Sequence, residues 1–379
     1  MPLTLNTALD DLRPSGIRRF SMLAAQTPGC VSLTLGEPGE GTPATISARV
    51  QAGLDAGKTH YPPNNGWAEL KAAVCHHMEE RGMLYAPDEV IVTSGATEAL
   101  FATLTAMLNP GDEVIVPMPA FLLYESVVRL ARATVVPLDT AACGFQITAD
   151  ALTSVITERT KAIVLTSPNN PTGVCLSPQS LDAVADLATR HSFYVICDDV
   201  YDQLVYTDSY EGFAHRHPEM REQTVVVNSF SKPYARTGGR LGWLAAPAAL
   251  TEQVAKVHQY AISSVVSFTQ DAAIEALSTD VTTMRESYRA RRDLVLRRLA
   301  GMGLACVHPD GAFYAFPSIR KLGLTSEEFC TRAIREAGVA LVPGSIFGAE
   351  GHVRLSYACD PVTLRRGLDR LEGFVERLR

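Results

Sequence analysis

Thr224-Val225-Val226-Val227-Asn228-Ser229-Phe230-Ser231-Lys232, continuing to Arg236-Thr237-Gly238-Gly239-Arg240-Leu241-Gly242-Trp243, is the stretch on which the reading of this chain turns. It begins as an apolar β-branched run and breaks into serines, a lysine and small residues. A lysine met alone is nearly always solvated surface. This one follows directly on a strand-like run, stands behind two serines and has Arg240 downstream of it. In open α/β sheets ligands bind beyond the carboxyl ends of the strands, so polar residues that directly follow apolar runs mark where a site would lie.

Four further runs have the same character: Glu89–Thr93, Glu113–Val116, Lys161–Leu165 and Phe193–Cys197. Their near-continuous apolar composition suits strands covered on both faces. Between them Ala96–Leu108 and Pro178–His191 carry helical apolar spacing, the second opened by Ser177 as N-cap and Pro178 as first helical residue. Strand, helix, strand order predicts an α/β protein with a mainly parallel central sheet covered by helices. After about residue 275 the texture changes to an arginine-rich amphipathic helix around Arg285–Leu299, short strands and a closing helix over Pro361–Leu378, which predicts a smaller α+β domain. The expected division is an N-terminal arm and small-domain segment over 1–45, a large domain over 46–280 and a small domain over 281–379. A chain of 379 residues exceeds the size at which a single core keeps growing. Neither an internal repeat nor a low-complexity tract interrupts it.

The net charge of -7 comes from interspersed residues, without a basic block or an acidic tail, so nucleic acid is not an expected partner. A few placed arginines and helix N-termini can still bind small anions. The eight cysteines form no CxxC pair and no regular spacing, so neither a metal site nor a disulfide framework is expected. Met1-Pro2-Leu3-Thr4-Leu5-Asn6 lacks a basic region followed by an apolar stretch, and no apolar run reaches membrane-spanning length. A soluble, cytoplasmic protein is the expectation.

Polar residues gather at five places. Thr93-Ser94-Gly95-Ala96-Thr97-Glu98 is a small-residue turn into a helix, where backbone N–H groups and the helix dipole can approach a phosphate, although such a turn is often mere geometry. Ser167-Pro168-Asn169-Asn170-Pro171-Thr172-Gly173 reads as a proline-rigid turn, which leaves its central asparagine unexplained. Cys197-Asp198-Asp199-Val200-Tyr201 ends a strand in two carboxylates, which could equally cap a helix. The lysine stretch is the fourth. His352-Val353-Arg354-Leu355-Ser356-Tyr357 is the fifth, an arginine among apolar neighbours for which a cross-strand salt bridge is the bland explanation.

Taken jointly, the five places supply what pyridoxal phosphate chemistry needs: an amine for a Schiff base, a carboxylate for the pyridine nitrogen, donors for phosphate and an arginine fork for a substrate carboxylate. Almost the whole chain resembles the class I/II aminotransferases of pyridoxal phosphate fold type I. Pro14-Ser15-Gly16-Ile17-Arg18, Val257-His258-Gln259-Tyr260 and Gly338-Val339-Ala340-Leu341-Val342-Pro343-Gly344-Ser345 resemble in particular the bacterial aminotransferase A group, whose members act on N-acetyl-L,L-diaminopimelate or aromatic amino acids. Asn170, Asp198, Tyr201, Lys232 and Arg240 fall in that family's order.

The resemblance implies that Lys232 binds the cofactor covalently and moves the substrate proton, that Asp198 pairs with the pyridine nitrogen, and that Tyr201 and Asn170 bond the ring phenolate oxygen. It places the phosphate on Gly95, Ala96, Thr97, Ser229, Ser231 and Arg240, and stacks Phe121 on the ring, where ordinary core packing would also explain it. It assigns the substrate α-carboxylate to Arg354, helped by Asn170 and the Gly36 backbone, and has Tyr61 reach the phosphate of a neighbouring subunit, hence a homodimer. The implied activity is ping-pong transfer of an amino group between an L-amino acid and a 2-oxo acid. Gly239 departs from the family, which usually has a bulky aromatic there. A C–S lyase of the same fold type remains open, as does a cofactor-binding regulator, although the acidic charge and the short segment before Leu35 speak against an added DNA-binding module. Arg18 and Arg19 could contact a distal carboxylate, but read more simply as solvated.

Overall fold

A computed structural model describes residues 3, 5–10, 12 and 14–379. The leader reading of residues 1–6 rests partly on Met1, Pro2 and Thr4, which lie outside the described residues. Helix α1, Gly16–Gln26, is followed by the elements of a large sheet: β1 (Val90–Thr93), β2 (Glu113–Met118), β3 (Thr134–Asp139), β4 (Thr160–Thr166), β5 (Tyr194–Asp198), β6 (Thr224–Ser229) and β7 (Gly242–Ala245). Their spatial order is β1-β7-β6-β5-β4-β2-β3. Strand β7 runs antiparallel to both its neighbours, and every other pairing is parallel.

The expected strands form, with small shifts that have local causes. The Glu89–Thr93 run begins one residue later, because Glu89 closes a 3-10 turn in which its Oε2 accepts from Ala86 N at 2.8 Å. The run at 193–197 becomes 194–198 and carries Asp198 into the sheet itself. Strands β3 and β7 escaped the sequence reading. Much of β3 is solvent-facing at the sheet edge, and β7 is only four residues long. Helices α2 (Ala96–Met107) and α3 (Pro178–His191) lie where expected, and Ser177 Oγ accepts from Ser180 N at 3.2 Å.

Register places the site. Thr166 pairs with Asp198 across β4 and β5, while Gly242 of β7 pairs with Ser229 on one side and Thr93 on the other. The carboxyl ends of three parallel strands and the exit of β1 therefore meet along one edge.

Above that edge lies a second core in which Phe20, Val31 and Leu33 pack with Val295, Phe329, Leu368 and Phe374. Val31–Ser32 pairs in parallel with Val339–Ala340, so the N-terminal segment joins the last hundred residues. Beside it Val342–Pro343, Val353–Ser356 and Tyr314–Ala315 form a small antiparallel sheet that carries Arg354.

Candidate active site

A cavity of about 230 Å³ lies between the carboxyl edge of the large sheet and the second core. Its floor is Asp198, the last residue of β5, which is 4% exposed. Tyr124 donates to Asp198 Oδ2 at 2.5 Å, and its hydroxyl lies 2.7 Å from Thr166 Oγ1. Asp198 Oδ1 is buried and accepts no well-formed hydrogen bond among the described residues. Burial pushes the carboxyl up to about 6, against the opposing pull of Tyr124, the Val200 N–H and Lys232. A buried carboxylate oxygen without a donor is costly, so this one calls for a cationic N–H.

Lys232 leaves the end of β6, and its half-buried amine donates to the Gly36 carbonyl at 2.6 Å. Burial lowers its pKa to about 8; Glu37 opposes the shift, and Arg354 and Arg240 add to it. A substantial share of the amine is therefore neutral, and so nucleophilic, at mildly alkaline pH.

One end of the cavity is built for an anion. Gly95 adopts φ +79° and ψ 169°, a conformation that is nearly exclusive to glycine, and turns the chain from β1 into α2. As first residues of a helix, Ala96 and Thr97 have N–H groups with no intrahelical acceptor. Arg240 closes this end, donating from Nη1 to Thr237 O at 3.0 Å and from Nη2 to Ser94 O at 3.4 Å. Ser229 and Ser231 face it with their hydroxyls 2.8 Å apart. A Cβ added at Gly95 would sit 2.9 Å from Arg240 Nη2, the movable end of an exposed side chain, so it is the backbone conformation that holds the position to glycine.

The departure at Gly239 has a local explanation. A Cβ there would come within 3.2 Å of Arg236 Nε and 3.3 Å of its Nη2. The buried Arg236 guanidinium thus takes the space beside residue 239, and glycine is what leaves room for it.

The other end holds Arg354, which is 1% exposed. It donates from Nη1 to Asn170 Oδ1 at 2.9 Å and from Nη2 to Thr34 O at 2.6 Å, and it lies 4.6 Å and 4.9 Å from the ring centres of Tyr314 and Phe347. Its partners are neutral oxygens, not the carboxylate of a cross-strand salt bridge, so its charge stays available to an incoming anion. Asn169 is the turn former, accepting from Thr172 N and Oγ1, which leaves Asn170 to reach the arginine. Tyr201 Oη lies 2.8 Å from Tyr314 Oη.

Of the residues singled out from the sequence, Gly36, Ala96, Thr97, Phe121, Asn170, Asp198, Tyr201, Ser229, Ser231, Lys232, Arg240 and Arg354 all line this one cavity. Gly95 frames it from behind. Tyr61 does not line it and is 92% exposed. Arg18 and Arg19 are exposed and away from it, and Arg19 pairs with Glu327 at 2.8 Å. Asp199 points elsewhere and is held well above the carboxylate range by burial and by Asp202 and Asp198.

A family model for aminotransferase class I and II matches residues 28–371. The chain belongs to that family. The aminotransferase is 43% identical over 99% of its length to a probable N-acetyl-LL-diaminopimelate aminotransferase of Bacillus subtilis, covering 96% of that protein. It is 40% identical to an aspartate aminotransferase of Pyrococcus abyssi, over 98% of both chains. Among solved structures, the aspartate aminotransferase of Thermus thermophilus with maleate superposes with a TM-score of 0.94 at 36% identity, covering 98% of this chain and all of the other. The relatives and solved neighbours are aminotransferases, and the activity is amino-group transfer with pyridoxal phosphate, in the ping-pong manner general to the family. The residues present fit that cofactor, since the orphaned Asp198 oxygen, the Lys232 amine and the glycine-framed anion cradle share one cavity.

Tyr124, Thr166 and Tyr314 line the same cavity and were missed in the sequence. Thr166 ends an apolar run and could have been found by the same rule as Asp198. Tyr124 sits in the Leu123–Leu130 helix, and nothing local distinguishes it from core.

Proposed function

We propose that Lys232 is the covalent anchor and proton carrier of this aminotransferase, that Asp198 keeps the far ring nitrogen charged, and that Arg354 grips the substrate α-carboxylate. Bound pyridoxal phosphate supplies a ring that accepts electrons from the substrate α-carbon. Asp198 would pair with the ring nitrogen while Tyr124 holds its Oδ2. Tyr201 and Asn170 donate to the ring phenolate oxygen. Ala96, Thr97, Ser229, Ser231 and Arg240 hold the phosphate at the Gly95 turn, and Phe121 lies against the ring. Arg354 turns from Thr34 and Asn170 to a bidentate grip on the amino or oxo acid, with the Gly36 backbone beside it. The freed Lys232 amine, partly neutral because of its burial, takes and returns the α-proton.

The single observation that carries this reading is that buried Asp198, whose Oδ1 is unpartnered, lines the same cavity as Lys232. The test is to saturate the protein with pyridoxal phosphate, reduce with borohydride and map the adduct; the expected position is Lys232, and an adduct elsewhere overturns it. Adding amino acid alone to the holoenzyme should yield pyridoxamine phosphate with no pyruvate or ammonia. N-acetyl-LL-diaminopimelate, aspartate and an aromatic amino acid make the first donor panel. We further read the chain as a cytoplasmic homodimer in which Tyr61 reaches the neighbouring phosphate, with a large domain over 46–280 and a small one formed by 1–45 and 281–379. The exposure of Tyr61 supports the dimer reading, and the shared core of the two chain ends supports the domain division.

A further inference from the structure

We infer that His258 is a permanently charged positioning residue: Glu98 holds it as an imidazolium, and through Glu98 it fixes the turn that receives the cofactor phosphate. This rests on the reading that residues 94–97 are the phosphate turn. His258 lies on helix α4, Ala248–Ile262, is fully buried at 0% exposure and touches no part of the cavity. Its Nδ1 lies 3.1 Å from Glu98 Oε1 and its Nε2 lies 2.7 Å from the Asn64 carbonyl oxygen. A carbonyl oxygen can only accept, so Nε2 carries a proton. An ionised carboxylate can only accept as well, so Nδ1 carries the other, and a ring with both protons is a cation.

The rest of Glu98 explains what the cation does. Its second oxygen, Oε2, accepts from the Ser94 backbone N–H at 3.1 Å, and the Ser94 carbonyl is the acceptor of Arg240 Nη2. Helix α4, Glu98, Ser94 and Arg240 therefore form one chain of bonds ending at the anion cradle. Charge on Glu98 strengthens its hold on the Ser94 N–H, and the imidazolium shares a charge-assisted bond with the same carboxylate. Facing the ring from α2 is Glu98, and from the 60–66 segment the Asn64 carbonyl; these groups raise its pKa, and burial opposes them. The bond to Asn64 also ties down the segment that carries Tyr61. One imidazolium thus braces both elements assigned to phosphate.

The proton count can be read in the wild-type holoenzyme, without a variant that might fail to fold. In ¹H–¹⁵N spectra of the imidazole rings, with His258 assigned by loss of its signal in His258→Gln, both nitrogens should carry protons at pH 8, well above the ordinary value of about 6.5. Glu98→Gln should return the ring to neutral at that pH and weaken pyridoxal phosphate binding about tenfold, with a smaller effect on the KM for amino acid. A neutral His258 in the wild type overturns the inference. So does unchanged cofactor affinity in Glu98→Gln when Arg240→Gln weakens binding. If Arg240→Gln also leaves affinity unchanged, the phosphate assignment is wrong and the inference falls with it.

Discussion

Asp198 concentrates the chemistry at the scale of a single residue. Its folded pKa, about 6, lies above the unfolded value of 3.8 because burial penalises the charge more than Tyr124 relieves it. Between those pH values the cofactor-free folded chain holds a proton that the unfolded chain has lost. Its contribution to stability is therefore greatest below about pH 4 and declines as pH rises through about 6, by on the order of 3 kcal/mol in all. Urea unfolding of the cofactor-free protein should show wild type losing stability relative to Asp198→Asn over this range, and pyridoxal phosphate should remove the deficit. A gap that stays constant with pH would mean that the carboxylate already has a counter-charge. The same residue type next door, Asp199, does not line that cavity, which illustrates that neighbours in sequence can have opposite fates at a strand end.

Among the elements, the β1–α2 junction decides whether an anion can be held. Gly95 is left-handed in φ and extended in ψ, and its α-hydrogen faces the Arg240 guanidinium. Gly95→Ala adds backbone strain of about 1–3 kcal/mol and pushes against Arg240 Nη2. Cofactor affinity should fall by at least about tenfold in equilibrium dialysis, while far-ultraviolet circular dichroism stays that of the wild type; undiminished affinity would mean that the phosphate sits elsewhere. Strand β5 and the turn at 167–173 make a complementary pair. The first delivers a carboxylate by ending, and the second delivers Asn170 because Asn169 and Thr172 consume each other's hydrogen bonds.

For the molecule as a whole, the placement of Tyr61 sets the test. A tyrosine 92% exposed beside Pro62 and Pro63 contributes nothing to its own cavity. Symmetric dimers exchange equivalent residues, so two differently damaged subunits can build one intact site. Tyr61→Ala and Lys232→Ala should each be strongly impaired alone. Co-refolded in equal amounts, they should recover activity, because the mixed dimer holds one site with both residues. Absence of recovery, with mixed dimers demonstrated by mass, would place Tyr61 outside the neighbouring site.

Much of this was legible in the amino-acid sequence because it depends on local chemistry. Apolar β-branched runs identify covered strands, Ser177-Pro178 opens a helix, and a polar residue directly after a strand lies at the sheet edge whatever the rest of the chain does. That determined the α/β class and brought Lys232, Asp198, Asn170, Arg240 and Arg354 together as chemical types in order. What only the tertiary structure decided were pairings between residues far apart in the chain: Tyr124 with Asp198, Arg354 with Asn170, His258 with Glu98. Such pairings depend on strand register and on how helices pack, and neither periodicity nor propensity encodes which atom is left over. Asp198 has two oxygens in any sequence; the packing of one tyrosine decides which of them is free.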